Sequence, residues 1–421
     1  MSFPTVVFDD GKGELAPLTD LRASFDLRTG MTTTLERLTG SLRLVALAVP
    51  ESLERLTRER HALPVNDFSG VAPGPVLLVN GRSPLATAMV PALRVGEVLR
   101  DPGSGDIIAA VVDGPAAIKR LLSGDSAGLS PVQSPALADA SIVPRPLLLS
   151  RPWHIRALRD PCLDADLAWH APARLKTIAS PELGAGVLRV GRDALVVPRS
   201  AEVFPSVVFD TTFGPIIVDQ HAVIRPGAII CGPAYIGPHS HILDRCLIKP
   251  HTSIGPHCKI AGEVGGTIFQ GFANKAHDGH LGDSYVGEWA NLGAGTTNSN
   301  LLNTYAEVVC RASPDGPNER TGETFLGAII GDHCKFAICT RIMTGAIVHT
   351  GTMWAATAPV SGCVAAFGWV TDAGTRPYAL GKFIEVARTV MARRKLTMSD
   401  AYAERLMELH GLRSPFPERG S

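Results

Sequence analysis

Aliphatic residues recur at every sixth position through the middle of the chain. The repeat runs through Val218, Ile224, Ile230, Ile236, Ile242, Ile248, Ile254 and Ile260. An α-helix has an apolar period of 3.6 residues, so this period cannot belong to a helix. Six-residue repeats are typical of a parallel β-helix, in which three short strands form one coil and each inward side chain stacks on its equivalent one coil away. The pattern therefore predicts a solenoid.

The repeat weakens near Gly262 and resumes after an irregular loop at 311–324. We expect the resumed inward positions to be Ile330, Phe336, Ile342, Val348, Trp354 and Val360. Between the two runs we follow it through Ile268, Val286 and Leu292, with Asn274 and His280 at intermediate positions. Small and polar residues displace the aliphatic ones in the stretch 269–300, which we take as the candidate active site.

Strand patterns alternate with helical patterns in the N-terminal half. Strands are predicted at 4–10, 75–86 and 106–114, and helices at 32–47 and 115–122. This alternation indicates an α/β domain whose site lies at the carboxyl ends of the strands. Residues 382–412 again follow helical spacing. The predicted domains are an α/β domain at 1–185, the solenoid at 186–380 and a helical extension at 381–421.

Charge is balanced, with 40 Lys and Arg against 40 Asp and Glu among 421 residues. Such a chain has no overall field that would attract nucleic acid or anionic lipid. No apolar run reaches the length of a membrane span, and the N-terminus lacks a signal-peptide pattern. The eight cysteines include no Cys-x-x-Cys pair. We therefore expect a reduced, cytoplasmic protein with neither nucleic acid nor membrane as a partner.

Charged and amide side chains follow the predicted N-terminal strands. They are Asp9, Asp10, Arg22, Arg28, Asn80 and Arg82. A strand that leads into a polar loop and a helix is how α/β domains place phosphate-binding groups. The other interpretation is a solvated loop with ordinary ion pairs, because no glycine-rich fingerprint is present.

Histidines recur three residues after an inward aliphatic position. They are His221, His239, His251, His257 and His333. Neutral imidazole is a common metal ligand. These histidines alternate with proline-rich turns, so solvated corners of the coil are the favoured interpretation.

His277 has different surroundings, because Asn274, Lys275 and Asp278 lie beside it in a glycine-rich stretch. It is either a buried structural histidine or a general base. Acyl transfer from a thioester to an amine needs a base for the amine proton and a donor for the oxyanion. A backbone N–H in the Gly293-Ala294-Gly295 turn would be such a donor.

Several motifs resemble the bacterial bifunctional N-acetylglucosamine-1-phosphate uridyltransferase/glucosamine-1-phosphate N-acetyltransferases, and more closely a divergent branch of sugar nucleotidyltransferases. In the solenoid these motifs are NKAHDG at 274–279, VGEW at 286–289, NLGAGTTNSN at 291–300 and IIGDHCKFAICT at 329–340. Elsewhere they are FDD at 8–10, PLTDLRASFDLRTG at 17–30, NGR at 80–82 and MARRK at 391–395. The resemblance therefore covers nearly the whole chain.

The resemblance implies roles for individual residues of the solenoid. His277 matches the base that deprotonates the sugar amine, and the Ala294 N–H matches the donor to the thioester carbonyl. The matches to sugar-site and neighbouring substrate residues are Asn274, Asn291, Asn300 and, more weakly, Glu263. His280 stands where the family has a sugar-site tyrosine, and Gly265 stands where it has a phosphate-binding lysine. Lys275 is a candidate to supply that missing charge.

The N-terminal half departs further from the family. Arg82 stands where a strand normally ends in a carboxylate that binds Mg²⁺, and a cationic side chain cannot replace an oxygen ligand. Either Asp9, Asp10 or Asp113 binds the metal instead, or this domain binds a nucleotide-sugar without forming it. Arg22, Arg28 and Arg82 suit a phosphate-rich substrate.

The leading hypothesis, which rests on the resemblance, is a transferase of sugar-nucleotide biosynthesis with a degenerate nucleotidyltransferase-like α/β domain and an acyltransferase solenoid. It would move an acetyl group from acetyl-CoA to an amino-sugar phosphate with His277 as general base, with or without nucleotidyl transfer to a sugar 1-phosphate in the N-terminal domain. The resemblance also implies a left-handed coil, a homotrimer, acyl-CoA held between neighbouring solenoids, and UDP-N-acetylglucosamine chemistry. One alternative is a nucleotidyltransferase whose solenoid only trimerises, and another is a non-catalytic sugar-nucleotide-binding or assembly protein.

Overall fold

A computed structural model describes residues 3–88, 93–132, 146–177 and 183–414. The predicted fold class is confirmed: an α/β domain precedes a parallel β-solenoid, and two helices follow it. The predicted boundary at 185 lies just after residues 178–182, which are outside the described ranges. None of the helices in those ranges combines the length and the apolar character of a membrane span.

The α/β domain is built on one mixed sheet. Its strands in the described ranges are β1 (Pro4–Phe8), β2 (Arg43–Ala48), β3 (Pro75–Asn80), β4 (Glu97–Arg100), β5 (Ile107–Asp113) and β6 (Ser130–Val132). Its helices are α1 (Thr34–Thr39), α2 (Glu51–Arg60), α3 (Gly114–Leu122) and α4 (His154–Thr177). The strand order is β2-β1-β3-β5-β4-β6, and β2, β1 and β3 run parallel. Alternate residues of β1 enter two different apolar clusters, so both faces of the sheet are covered.

The helix predicted at 32–47 is wrong in its second half. Thr33 caps α1 through a reciprocal pair of hydrogen bonds with Glu36, and the helix ends before Gly40. Residues 43–48 then pair with β1 as strand β2. A short apolar run cannot be assigned to helix or strand from periodicity alone, and here pairing with a central strand decides it.

The solenoid has three flat faces, each a parallel sheet. The first face contains Leu188–Gly191, Val208–Thr211, Ile229–Cys231, Leu247–Ile248, Glu263–Gly265 and His280–Gly282, and the pair Thr297–Asn298 and Arg341–Ile342 follows. The second contains Leu195–Val196, Ile216–Val218, Ala234–Ile236, Thr252–Ile254, Ile268–Phe269, Tyr285–Val286, Ile329–Ile330, Ile347–Val348 and Cys363–Val364. The third contains Glu202–Val203, Val223–Ile224, His241–Ile242, Lys259–Ile260, Asn274–Lys275, Asn291–Leu292, Lys335–Phe336, Met353–Ala355 and Gly368–Thr371, and it ends in a hairpin with Gly374–Pro377. A further hairpin, Val309–Cys310 with Glu319–Arg320, lies in the insertion that precedes Ile329.

The predicted inward residues of the first run are confirmed. All eight aliphatic side chains from Val218 to Ile260 are fully buried in one apolar cluster. Val218 pairs with Ile236, and Ile236 with Ile254, so each side chain stacks on its equivalent one coil away. Repetition of this contact builds the continuous core of the solenoid.

The prediction for the middle stretch is off by one residue at three positions. The inward residues are Phe269, Lys275 and Leu281, whereas we predicted their N-terminal neighbours. Ile254 pairs with Phe269, fifteen residues on, whereas Ile236 and Ile254 are eighteen apart. A shortened coil moves the repeat out of its six-residue phase, and a shift of one residue turns every side chain to the other side of a strand.

The corner histidines form a structural stack. The rings of His221, His239, His257, Phe272, Trp289 and His333 succeed one another along the corner between the second and third faces, with neighbouring centroids 4.5–6.3 Å apart. Each of these residues has a positive φ near 60°. His251 is an exception to the prediction of a single corner, because its ring lies near Asp164 of α4 at 3.7 Å.

Arg22 and Arg28 join the α/β domain to the solenoid. The buried Arg22 guanidinium donates to Asp332 at 2.8 Å and to Glu288 at 3.1 Å. The Arg28 N–H donates to Gln270 Oε1 at 2.9 Å, and its guanidinium lies 5.9 Å from the centre of the Tyr235 ring. Both arginines are therefore engaged at the domain interface rather than exposed to a phosphate.

The C-terminal helices are α5 (Leu380–Ala392) and α6 (Asp400–Arg413). Ser399 caps α6 by accepting from the Tyr402 N–H. The Tyr402 hydroxyl lies 2.9 Å from His333 Nε2 at the end of the ring stack, and α6 also packs against α2. The two helices thus contact both the α/β domain and the solenoid.

We expect Arg22→Ala to weaken the domain interface by about 3–5 kcal/mol, because it leaves the Asp332 carboxylate buried without its cation. The measurement is urea unfolding followed by circular dichroism. Arg60→Ala is the matched control, since that guanidinium is partly exposed and 3.7 Å from Glu288; its expected cost is under about 1 kcal/mol. Equal costs for the two variants would contradict the assignment.

The buried Lys275 makes stability depend on pH. Its ammonium donates to the carbonyls of Ala261, His277 and Asp278, and burial lowers its pKa from 10.5 to about 8. Between these two values the unfolded chain binds more protons than the folded one, so a rise in pH favours folding. From about pH 7 to 9.5 we expect the unfolding free energy of wild type to gain about 2 kcal/mol relative to Lys275→Met.

Urea unfolding at the two pH values checks this expectation, with the exposed Lys382→Met as control. The difference between wild type and the control should not change with pH. If the unfolding free energy of wild type relative to Lys275→Met stays constant or falls as the pH rises, the ammonium is not desolvated.

Candidate functional site

His277 and Ala294 lie at the same corner of the solenoid in successive coils. Asn274 pairs in register with Asn291. His277 and Ala294 each follow three residues later, so they are stacked at the turn towards the first face. Stacked coils are about 4.8 Å apart. The imidazole of His277 is exposed and makes no hydrogen bond or ion pair within the described ranges. A free base therefore lies one coil from the Ala294 turn.

The Ala294 backbone offers a donor at this corner. Its carbonyl accepts from the Cys339 N–H at 2.6 Å, whereas its own N–H makes no hydrogen bond to the part of the chain that the structure describes. Gly293 on one side donates to Phe336, and Thr296 on the other donates to Gly293. The N–H groups of Ala294 and Gly295 lie between these bonded groups without a partner in the described ranges, and they are available to a negatively charged oxygen.

The first-face side of the corner carries the predicted acidic and imidazole residues. Glu263 and His280 are paired in register, and Glu263 Oε1 lies 3.4 Å from His280 Nδ1. The ammonium of Lys249 also contacts Glu263 and holds the pKa of that carboxyl below its usual value. Asn300 donates to Asp283 Oδ2 at 2.7 Å. Glu263 therefore orients His280 rather than His277.

Lys249 was missed by the sequence analysis. A Cβ placed on Gly265 would lie 3.0 Å from the Lys249 Cβ, so the side chain of Lys249 covers that position from the preceding coil. The signal was in the register: Leu247 pairs with Glu263, which brings Lys249 beside Gly265. Lys275, which we predicted to supply this charge, points inward and is only 1% exposed.

The third-face side of the corner carries the predicted amides. Asn274 Oδ1 accepts from Arg394 Nη2 at 2.8 Å, and Asn274 Nδ2 lies 3.5 Å from Asn291 Oδ1. Both asparagines are half-buried on the outer surface of the coil. The two faces thus place amides on one side of His277 and an imidazole–carboxylate pair on the other.

The N-terminal candidates form a charged cluster at the carboxyl ends of β1 and β3. The fully buried Arg82 donates to both oxygens of Asp10 and to Asp106 Oδ2, each at 2.7 Å. Asn80 donates to Asp10 at 2.9 Å, and the Lys12 ammonium pairs with Asp106 at 2.7 Å. The structure therefore brings Asp10, Asn80 and Arg82 together and adds Asp106, which the sequence analysis did not select.

This cluster does not fit a divalent metal. The Arg82 guanidinium already bridges the two carboxylates that would be the ligands, and it supplies the positive charge itself. Asp9 accepts from the backbone N–H groups of Gly11 and Ser24, and burial raises its pKa. Asp113 lies at the opposite edge of the sheet, beside Pro75 at the start of β3. Within the described ranges no group of three or more His, Cys, Asp and Glu side chains could hold a metal ion.

A cleft of about 420 Å³ adjoins the cluster. Asp9, Asp10 and Lys12 line one side, and Asn66 and Arg100 line others. Pockets of this size hold small molecules such as nucleotides. Arg22 and Arg28 do not line it, so the described geometry does not support their predicted role in nucleotide binding.

Comparison with known proteins finds one matching family model and several similar curated proteins. Residues 5–174 match the family model for sugar nucleotidyl transferases. The bifunctional protein GlmU of Sorangium cellulosum is 30% identical over 142 residues, which are 32% of this chain and 26% of that protein. The bifunctional sugar-1-phosphate nucleotidylyltransferase/acetyltransferase of Sulfurisphaera tokodaii is 33% identical over 138 residues, which are 31% of this chain and 33% of that protein. The alignments thus span only about a quarter to a third of the curated relatives.

Among solved structures, the UDP-N-acetylglucosamine acyltransferase of Francisella novicida aligns with 52% of this chain and 90% of that chain. The sequence identity is 15% and the TM-score is 0.21, which is too low to support an argument. The sequence matches carry the relationship. Residues 5–174 match the sugar nucleotidyl transferase family, and about a third of the chain is similar to each of these two bifunctional proteins.

Proposed function

We propose that this chain is a transferase of sugar-nucleotide biosynthesis that moves an acyl group from acyl-CoA to the amine of an amino-sugar phosphate. The observation that carries the proposal is the solenoid corner at which the free imidazole of His277 lies one coil from the unbonded N–H of Ala294. The name of the Sulfurisphaera tokodaii relative gives acetyltransferase as one of its two activities. Acetyl-CoA is accordingly the donor we propose.

The reaction at this corner divides between two groups. The sugar amine attacks the thioester carbonyl carbon, and His277 takes the proton that the amine loses as the new C–N bond forms. The carbonyl oxygen gains negative charge and accepts a hydrogen bond from Ala294 N–H. When the C–S bond breaks, the thiolate of CoA leaves and takes up a proton. Asn291 and Asn300, on either side of the corner, would hold the sugar.

The His280–Glu263 pair is a second candidate for the base. A carboxylate that accepts from one ring nitrogen fixes the tautomer and raises the basicity of the other, as in catalytic triads. His277 lacks such a partner in the described ranges, whereas its position beside Ala294 favours it. Substitution of each histidine separates the two assignments.

The N-terminal domain would bind a nucleotide or nucleotide-sugar in the cleft beside Asp10 and Lys12, with UDP-N-acetylglucosamine as the first candidate. We further propose that it does so without Mg²⁺, because Arg82 neutralises Asp10 and Asp106. A homotrimer in the cytoplasm remains our prediction for the assembly. Leu188 and Ile229 on the first face are 59% and 40% exposed, and a neighbouring solenoid would cover them.

We expect His277→Ala to lower the kcat for acetyl transfer from acetyl-CoA to glucosamine 1-phosphate by about 10²–10⁴-fold, because a general base typically contributes that much. Release of free CoA thiol is the measurement. The matched control is His239→Ala, which removes a ring-stack histidine on another corner of the solenoid.

His280→Ala is assayed alongside. If His277→Ala lowers kcat only slightly and His280→Ala lowers it by about 10²–10⁴-fold, the base is the His280–Glu263 pair. Undiminished turnover in both variants would contradict acyl transfer at this corner.

Wild-type protein should show no Mg²⁺ binding at millimolar concentration in the N-terminal cluster. Arg82→Ala leaves Asp10 and Asp106 without their shared cation, and oxygen-rich clusters of carboxylates attract hard divalent ions. Isothermal titration with Mg²⁺ should therefore detect a site in Arg82→Ala, whereas Arg100→Ala, on the far wall of the cleft, should behave like wild type. Mg²⁺ binding by wild type that is lost in Asp10→Asn would show that Arg82 does not exclude the metal.

A further inference from the structure

A second pocket, of about 360 Å³, lies between the third face of the solenoid and the end of α5. The solenoid contributes Lys259, Lys335 and the two amides Asn274 and Asn291 to its wall. The chain that leaves α5 contributes Arg393 and Arg394. Two basic residues of the MARRK motif are therefore folded onto the solenoid.

Positive charge in this pocket is not balanced by the protein. Four cationic side chains line it and none of the lining residues is acidic. None of the four appears in an ion pair within the part of the chain that the structure describes. Burial lowers the pKa of Lys335 to about 8 and also lowers that of Arg394, where the neighbouring Arg393 contributes. Such confined like charges repel one another in the empty pocket, and a bound anion would offset the repulsion.

The donors are held in place before any ligand arrives. Arg394 Nη2 donates to Asn274 Oδ1 at 2.8 Å, which fixes the guanidinium while its remaining N–H groups stay available. The Lys335 ammonium contacts the Trp289 carbonyl. A planar guanidinium suits bidentate contact with phosphate oxygens, and preordered donors reduce the entropy lost on binding.

The pocket has aromatic walls but no free aromatic face. Phe272 and Trp289 line it, and both are members of the ring stack, with centroids 4.5 Å apart. Phe272 is covered on its other side by His257 at 4.8 Å, and Trp289 by His333 at 6.3 Å. A nucleobase would therefore find only ring edges, whereas the Asn274 and Asn291 amides offer donors and acceptors that suit sugar hydroxyls.

We propose that this pocket binds a phosphorylated sugar, with its phosphate on Arg393, Arg394 and the two lysines and its hydroxyls on Asn274 and Asn291. The choice of a sugar rests on the proposed function, whereas the choice of a phosphate rests on the charges of the pocket. The C-terminal extension is thereby assigned a ligand-binding role in addition to its packing.

The test is equilibrium binding by the full chain, measured by isothermal titration with glucosamine 1-phosphate, inorganic phosphate and CoA as separate probes. Arg393→Gln removes one phosphate contact from an exposed position and should leave the fold intact. We expect it to weaken glucosamine 1-phosphate binding at least about tenfold, as for a lost charge-assisted hydrogen bond. Arg388→Gln, exposed on α5 and outside the pocket, is the matched control and should bind like wild type.

Each probe distinguishes one part of the proposal. Inorganic phosphate should bind more weakly than glucosamine 1-phosphate and with the same dependence on Arg393; equal affinity would overturn the assignment of a sugar. If Arg393→Gln weakens the binding of CoA but not that of glucosamine 1-phosphate, the pocket belongs to the acyl donor and the proposal is overturned. No binding of any probe by wild type, or equal binding by both variants, would also overturn it.

The experiment distinguishes a failure of the pocket proposal from a failure of the proposed acyl transfer. His277→Ala should lower the kcat for acetyl transfer by about 10²–10⁴-fold and leave glucosamine 1-phosphate binding unchanged within about twofold, because His277 does not line the pocket. If wild type shows no acetyl transfer while binding depends on Arg393, the pocket stands and the proposed function fails.

Discussion

Hydrogen-bonded register between successive coils decides which side chains of the solenoid share a corner or a face. Residues far apart in sequence become neighbours because each strand pairs with its equivalent one coil away. This constraint stacks His277 below Ala294 and brings Lys249 beside Gly265. A change in coil length changes which residues become neighbours in successive coils. The short coil that ends at Phe269 is followed by the stretch in which polar residues replace aliphatic ones. The candidate active site lies where the repeat is least regular. There the buried Lys275 occupies an inward position that an unbroken repeat would fill with an aliphatic residue.

The domain interface explains why two of the N-terminal arginines are not in a phosphate site. Arg22 and Arg28 follow a strand and lie in a polar loop, which is the sequence context of a phosphate-binding group. Their buried partners, Asp332 and Gln270, belong to the solenoid. A buried guanidinium needs a partner to offset its desolvation, and the second face of the solenoid supplies it. The cleft is left with Lys12 and Arg100 as its cationic side chains.

The local sequence pattern was sufficient to predict inward residues where the six-residue repeat is regular. The eight inward residues from Val218 to Ile260 could be predicted because each occupies the same environment, and the C-terminal run was predicted for the same reason. Strand β2 was not, since an apolar hexamer after a two-turn helix has no periodicity of its own. Asp106, Lys249 and the partners of Arg22 could not be found from spacing, because their contacts depend on tertiary packing across domains or coils. Glu263 was selected by resemblance, but only the register showed that it faces His280.

Distribution of charge links the two halves of the molecule. The chain carries no net charge, yet it concentrates uncompensated cations in the pocket beside α5 and neutralises the carboxylates at the ends of the N-terminal strands. In the α/β domain Arg82 bridges the two carboxylates that would be ligands of a metal, beside a cleft of about 420 Å³. On the solenoid the cations remain free for a ligand. The proposed function places the chemistry at the solenoid and recognition of a nucleotide at the α/β domain, because among the described residues it is the solenoid that combines an unbonded base, an unbonded donor and an unpaired set of cations.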